Sequence, residues 1–88
     1  MWFVSLVKFR KKPTKETVQW ADQMFKKAEA WGVKTHMALW TLGRYDAVRI
    51  GEAPDVATAM KTAIAFADLA AVETLVAVSR DEAIKLLE

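Results

Sequence analysis

The chain contains no cysteine, which excludes disulfides and thiolate metal sites and gives no pointer to an oxidising compartment. It has a single histidine, His36, and its carboxylates are scattered without ligand spacing, so no metal and no cofactor is expected. There is no phosphate loop, nucleophile elbow or dinucleotide fingerprint, and no internal repeat, low-complexity tract or linker. The apolar stretch at residues 2–7 is only a strand in length, and its basic residues follow rather than precede it. It therefore reads as neither signal peptide nor membrane span, and a cytoplasmic location is the default expectation.

With 88 residues, residues 1–88 make one domain, near the lower end of what holds a core alone. Four Trp and four Phe are many for a chain that must leave much of its surface wet. Another subunit is expected to cover some of them. The net charge of +2 is modest, although Lys8, Arg10, Lys11, Lys12 and Lys15 gather near one strand end. That cluster reads as a solvated loop able to attract anions.

Residues 2–9 alternate as a strand, with Trp2, Val4 and Leu6 on one side and Phe3, Ser5, Val7 and Phe9 on the other. Both sides are largely apolar, as in a strand central to a sheet that pairs with a second subunit. Pro13 breaks it and Thr14 is placed to cap a helix from residue 15 to a stop at Gly32. Val18, Ala21, Met24, Phe25, Ala28 and Trp31 form its apolar stripe. Asp55 caps a second helix with Val56, Ala59, Met60, Ala63, Phe66 and Ala67 as its buried stripe. Residues 71–79 read as a strand, and Ser79 and Glu82 form a capping box that starts a short tail helix with Ala83, Ile84 and Leu87 as its apolar face.

Between the helices, residues 33–42 and 45–52 are rich in β-branched and aromatic residues, separated by Gly43-Arg44. A two-residue hairpin turn with positive φ at Gly43 is the natural reading. It pairs Leu42 with Tyr45, Trp40 with Ala47, Ala38 with Arg49 and His36 with Gly51 on one face. The other face carries Met37, Leu39, Val48 and Ile50, which, being continuously apolar, is assigned to the core beneath the helices. The order of elements is the split βαβ arrangement. The expected fold is α+β and ferredoxin-like, βαββαβ, with a four-stranded antiparallel sheet, two helices on one face and a short C-terminal helix. His36, Trp40, Tyr45 and Arg49 fall on the open face.

Leu42-Gly43-Arg44-Tyr45-Asp46, followed by Glu52-Ala53-Pro54-Asp55 and later Thr74-Leu75, resembles the GYD-domain family of small bacterial and archaeal proteins, whose namesake motif is Gly43, Tyr45 and Asp46 here. The similarity extends over nearly the whole chain. It implies a ferredoxin-like fold of the dimeric α+β barrel type. It implies no particular reaction, because the family has none generally established, and fold alone does not transfer function.

On the residues themselves two readings of the open face stand. Trp40, Tyr45 and Arg49 suit an interface between copies of the chain, where aromatic residues and Arg are enriched. The second reading, which the composition favours less, is a site for a small anionic or aromatic ligand, with Arg49 fixing a carboxylate. The alternative is a cofactor-free enzyme resembling the monooxygenases and isomerases of the dimeric barrel type, with His36 as base, Trp40 and Tyr45 as walls and Arg49 as anchor. The motif also has a purely structural account: Gly43 for the turn, Tyr45 packing across strands and Asp46 accepting hydrogen bonds at the turn's edge. Glu73 is a further carboxylate, explained equally as an edge-strand charge that discourages aggregation. RNA-recognition modules share this order of elements, but Ala47 and Ile50 occupy their stacking positions, so nucleic acid is not an expected partner. The expectation is a small oligomeric module, at least a dimer, with a small-molecule ligand at its open face.

Overall fold

The computed structural model describes all 88 residues. Strand β1 spans Trp2–Phe9. Thr14 then caps helix α1, Lys15–Ala30: its side chain accepts from the Thr17 backbone N–H, and the Thr17 hydroxyl accepts from the Thr14 N–H in return. Gly32 ends the helix at φ 90°, and a side chain there would meet Pro54 Cγ at 2.8 Å. Strands β2, Lys34–Trp40, and β3, Ala47–Glu52, follow. Asp55 caps α2, Val56–Ala65, by accepting from Thr58 N at 2.7 Å. Hydrogen bonding to Thr58 holds the Asp55 carboxyl below its usual range. Strand β4, Ala70–Ala77, and helix α3, Arg80–Lys85, complete the chain, with Ser79 capping α3 at Glu82 N.

The sheet order is β2-β3-β1-β4, antiparallel throughout. With α1 and α2 on one face this is the ferredoxin-like α+β fold expected from the sequence. No helix is long and apolar enough to cross a membrane.

The central hairpin departs from expectation in three ways. Its strands end at Trp40 and begin again at Ala47, so residues 41–46 connect them in place of a two-residue turn. The pairing continues only as far as Thr41, whose backbone N–H donates to Asp46 O and whose hydroxyl donates to Tyr45 O. Leu42 has nothing to pack on and is fully exposed. Gly43 does adopt positive φ, 101°.

Secondly, the expected pairs Trp40 with Ala47 and Ala38 with Arg49 hold, but the register shifts between Thr35 and Met37, so that Thr35 rather than His36 lies opposite Gly51. His36 is the extra residue of this bulge, and its ring turns to the same face as Trp2 and Glu52.

Thirdly, the faces are reversed. Met37 and Leu39, assigned to the core, are 51% and 50% exposed, whereas Arg49, assigned to the open face, is 8% exposed beneath the helices. The reason lies in β1. Phe3, Ser5 and Val7 face the helices, and in register with them are Gly51, Arg49 and Ala47. A large Phe3 needs a small neighbour, and Gly51 provides it. Choosing the inner face by total apolar bulk fails when the outer face is apolar too. The α2 stripe shifts for the same reason of fit: Ala59 and Thr62 are buried, whereas Val56, Met60 and Ala67 are exposed.

These two glycines make distinguishable predictions. At Gly43 an added Cβ would meet nothing within 4 Å, so Gly43→Ala should lose about 1 kcal/mol in urea unfolding, from backbone strain alone. Gly51→Ala would drive Cβ into the Lys34 carbonyl and to 2.9 Å from Phe3 Cζ, and should lose about 2 kcal/mol or more through overpacking.

Candidate functional site

The same shortage of bulk opposite β1 leaves a cavity of about 250 Å³ between sheet and helices. Its floor alternates Ser5, Val7 and Phe9 of β1 with Ala47 and Arg49 of β3, Ala38 and Trp40 of β2 and Val72 and Thr74 of β4. Its roof is Thr17, Val18, Ala21 and Phe25 of α1 with Ala59, Thr62 and Ala63 of α2, and Phe66 just beyond. Phe25 lies tilted on Phe66 at 5.4 Å, and Trp20 meets Phe66 edge-on at 5.5 Å. These contacts tie α1 to the end of α2 within the roof, while the small residues of both layers leave the space between them unfilled.

Arg49 is the cation of this lining. Its Cζ lies 5.0 Å from the centroids of both Phe3 and Phe25, two cation–π contacts that stabilise the charge in part. Its Nε is buried with no hydrogen-bond partner. The two ion pairs of the chain, Lys8 with Asp46 and His36 with Glu52, lie elsewhere. Burial pushes the Arg49 guanidinium down from its ordinary value to about 10, which still leaves it a cation at neutral pH. In register beside Arg49 are Ser5 and, one strand further, Thr74. A row of one charged and two hydroxyl side chains thus crosses an otherwise apolar floor. Asp22, the carboxylate of the lining, is exposed.

At the other end, Phe9, Pro13 and Trp40 are shared with a second groove lined by Arg10, Lys11, Lys12, Thr41 and Asp46. Trp40, edge-on to Phe9 at 5.6 Å and 65% exposed, stands at this mouth. The basic cluster noted in the sequence therefore rims the cavity. Arg10 is tied down, its Nε donating to Ala67 O at 2.8 Å.

The four residues expected together on the open face are split by the sheet. Trp40 and Arg49 face the cavity. His36 lies on the opposite face, where its Nε2 donates to Glu52 Oε2 at 2.7 Å and its ring lies 4.9 Å from Trp2. A base at His36 cannot act on a ligand anchored by Arg49, so that catalytic assignment loses its geometry. Tyr45 reaches across β1 and donates to Glu73 of β4, a bond that raises its hydroxyl above its ordinary value.

Asp46 accepts from Phe9 N at 2.8 Å and pairs with Lys8 at 3.5 Å, while its own N–H donates to Val7 O. Gly43, Tyr45 and Asp46 thus tie the connection at residues 41–46 to β1 and β4. The residues that the sequence reading passed over are Ser5 and Thr74. Their signal was a small hydroxyl amid apolar residues, at positions sharing parity with an Arg across two neighbouring strands.

Compared with known families, residues 3–87 match the model described as GYD domain. Among curated proteins nothing matches.

An unpartnered buried charge is a cost to the fold unless something outside the chain satisfies it. Arg49→Met keeps most of the volume and deletes the charge. In ligand-free protein it should raise the urea midpoint by the equivalent of roughly 1 kcal/mol, after allowing for the lost ring contacts. At neutral pH Arg49 is charged both folded and unfolded, so this gain should be flat from pH 6 to 8. A destabilisation of that size instead would mark Arg49 as a structural brace.

Proposed function

We propose that this protein, which belongs to the GYD-domain family, is a small-molecule-binding module whose site is the cavity between its sheet and helices, and that it works as a homodimer. The observation that carries the ligand reading is Arg49, a buried cation aimed into an apolar cavity with its Nε unsatisfied. Chains do not ordinarily leave such a group without a partner. The anionic or aromatic ligand expected from the sequence thus moves from the open face to the inner one. Binding is favoured over catalysis because the lining holds one cation, one exposed carboxylate and no histidine, which leaves little for proton transfer. Ligand capture should be detectable directly: gently purified protein should carry a stoichiometric small molecule by native mass spectrometry. Ala63→Phe, which fills the cavity from α2, should abolish it while the folded circular dichroism spectrum persists. Empty wild-type protein that also fails to take up any apolar probe would remove this reading.

A separate observation supports the dimer. The face of the sheet away from the helices presents Trp2, Val4, Leu6, Met37, Leu39, Val48, Ile50 and Leu75 in adjoining strands, and Met37, Leu39 and Leu75 are about half exposed. The charged groups around it, Lys8, Glu52 and Glu73, are each already partnered, by Asp46, His36 and Tyr45. An apolar centre with an internally satisfied rim is the pattern of a protein–protein interface core, and a patch of this kind is uncommon on a monomer. We take a second copy as the occupant because a continuous apolar centre can meet itself across a two-fold axis, and the charged groups named at its rim are already engaged within the chain. Sedimentation equilibrium at micromolar concentration should give twice the chain mass of 9.9 kDa, and Leu39→Glu should return it to the monomer. A wild-type monomer would overturn the dimer and leave the cavity reading intact.

A further inference from the structure

The cavity floor is polar in one place only, the roof adding the hydroxyls of Thr17 and Thr62 and the exposed Asp22. The row formed by Arg49, Ser5 and Thr74 crosses that floor beside the buried Phe3, with Thr74 exposed at the β4 edge. From Ser5 to Phe9 the floor runs along β1 for about 13 Å, at the usual rise per strand residue. It is flanked by Val7, Ala47, Ala38, Val72 and, at the mouth, Trp40. A largely apolar cavity with a single buried cation beside Phe3 fits a molecule with one charged head and a long apolar body.

The charge and geometry of Arg49 narrow the head. A guanidinium presents a planar fork that matches a carboxylate in two parallel hydrogen bonds. The Arg49 Cζ lies over the rings of both Phe3 and Phe25 at 5.0 Å, and its N–H groups make no hydrogen bond within the chain that would compete with such a ligand. One monovalent cation in an apolar surround balances one negative charge; a dianion would leave a second charge buried without a partner. The hydroxyls of Ser5 and Thr74 can donate to a carboxylate oxygen and carry no charge of their own. The volume limits the body. A dry cavity of about 150 Å³ holds benzene, so about 250 Å³ scales to roughly ten non-hydrogen atoms.

Resting on the reading of this cavity as a ligand site, we infer that it selects a linear or aryl-substituted monocarboxylic acid, with its carboxylate on Arg49 and its apolar body running toward Trp40. Lys11 and Lys12 at the mouth raise the local concentration of such an anion before it is desolvated. Asp22 in the roof is exposed and outside both ion pairs, so it does not compete for the guanidinium.

The test compares octanoate with octanamide, which share body and length and differ in head charge, by isothermal titration calorimetry of the full chain at pH 7. Wild-type protein should bind the acid at least tenfold more tightly than the amide. Arg49→Met should bind both with equal affinity, and Arg49→Lys, which keeps the charge but not the fork, should retain only part of the preference. If wild-type protein binds the two alike, or Arg49→Met keeps the preference for acid, the carboxylate inference is overturned while the cavity remains a binding site. If neither compound binds at millimolar concentration, both readings fail together. The wild-type comparison alone decides the matter should either variant prove unfolded.

Discussion

Phe3 sets how the two layers of this molecule fit. It is the largest fully buried side chain, and it packs with Ala28, Val33, Ala53 and Ala59 into the one compact cluster of the core. That cluster sits at one end of the sheet. Phe3 can lie there because its neighbour on β3 is Gly51, where any Cβ would strike Phe3 and the Lys34 carbonyl. The N-terminal amine donates to Ala53 O and Ala53 N–H donates to Met1 O, pinning the start of β1 beside the same cluster. Toward the other end β1 continues with Ser5 and Val7 against Arg49 and Ala47, and there is too little volume to fill the space below α1 and α2. One end of the interlayer space is packed solid and the other is hollow, and the boundary between them is the contact of Phe3 with Arg49.

The position of Arg49 at that boundary explains how the fold tolerates it. A guanidinium with no partner in a fully packed core would impose a desolvation cost of several kcal/mol. Beside a cavity, the same group keeps an open direction for solvent or ligand, and its two flanking rings supply part of the lost hydration. Its depressed pKa, about 10, reports the remaining cost. Stability given up at one residue so that a site can stay charged and receptive is the usual trade in binding proteins. Under the proposed binding role the same trade would account for the void, since filling it would strengthen the core.

Much of the fold was legible because its signals are local. Thr14, Asp55 and Ser79 cap helices at the expected places, Gly32 and Gly43 take positive φ, and β1 spans the expected residues. Strand pairing was legible for Trp40 with Ala47 and Ala38 with Arg49, since it follows from counting back from the turn. The inside and outside of the sheet were not, because alternation fixes which residues share a face and says nothing about which face is covered. With Met37, Leu39, Val48 and Ile50 on one side and Arg49 and small residues on the other, bulk pointed the wrong way. The bulge at His36 was equally hidden, since a single extra residue leaves no mark in an alternating pattern. The cavity was invisible for a deeper reason: it consists of volume that Ala38, Ala47 and Ala63 do not fill, and only the layers' separation turns small residues into space.

The motif residues Gly43, Tyr45 and Asp46 acquire a role from where this cavity opens. Asp46 holds the end of β1 through Phe9 N and Val7 O, and Phe9 is one of the three side chains shared by the cavity and its basic mouth. Thr41, on the same connection, lines that mouth beside Trp40. Tyr45 braces the connection against β4 through Glu73, and Gly43 lets the chain turn back tightly enough for both anchors to be reached at once. None of the three lines the cavity itself, and Asp46 meets its floor only through the backbone of Val7 and Phe9. The three fix the outer rim, where the Trp40 and Phe9 rings meet edge-on, while Arg49 lies level with Ser5 and Ala38, four residues back from Phe9 and two from Trp40.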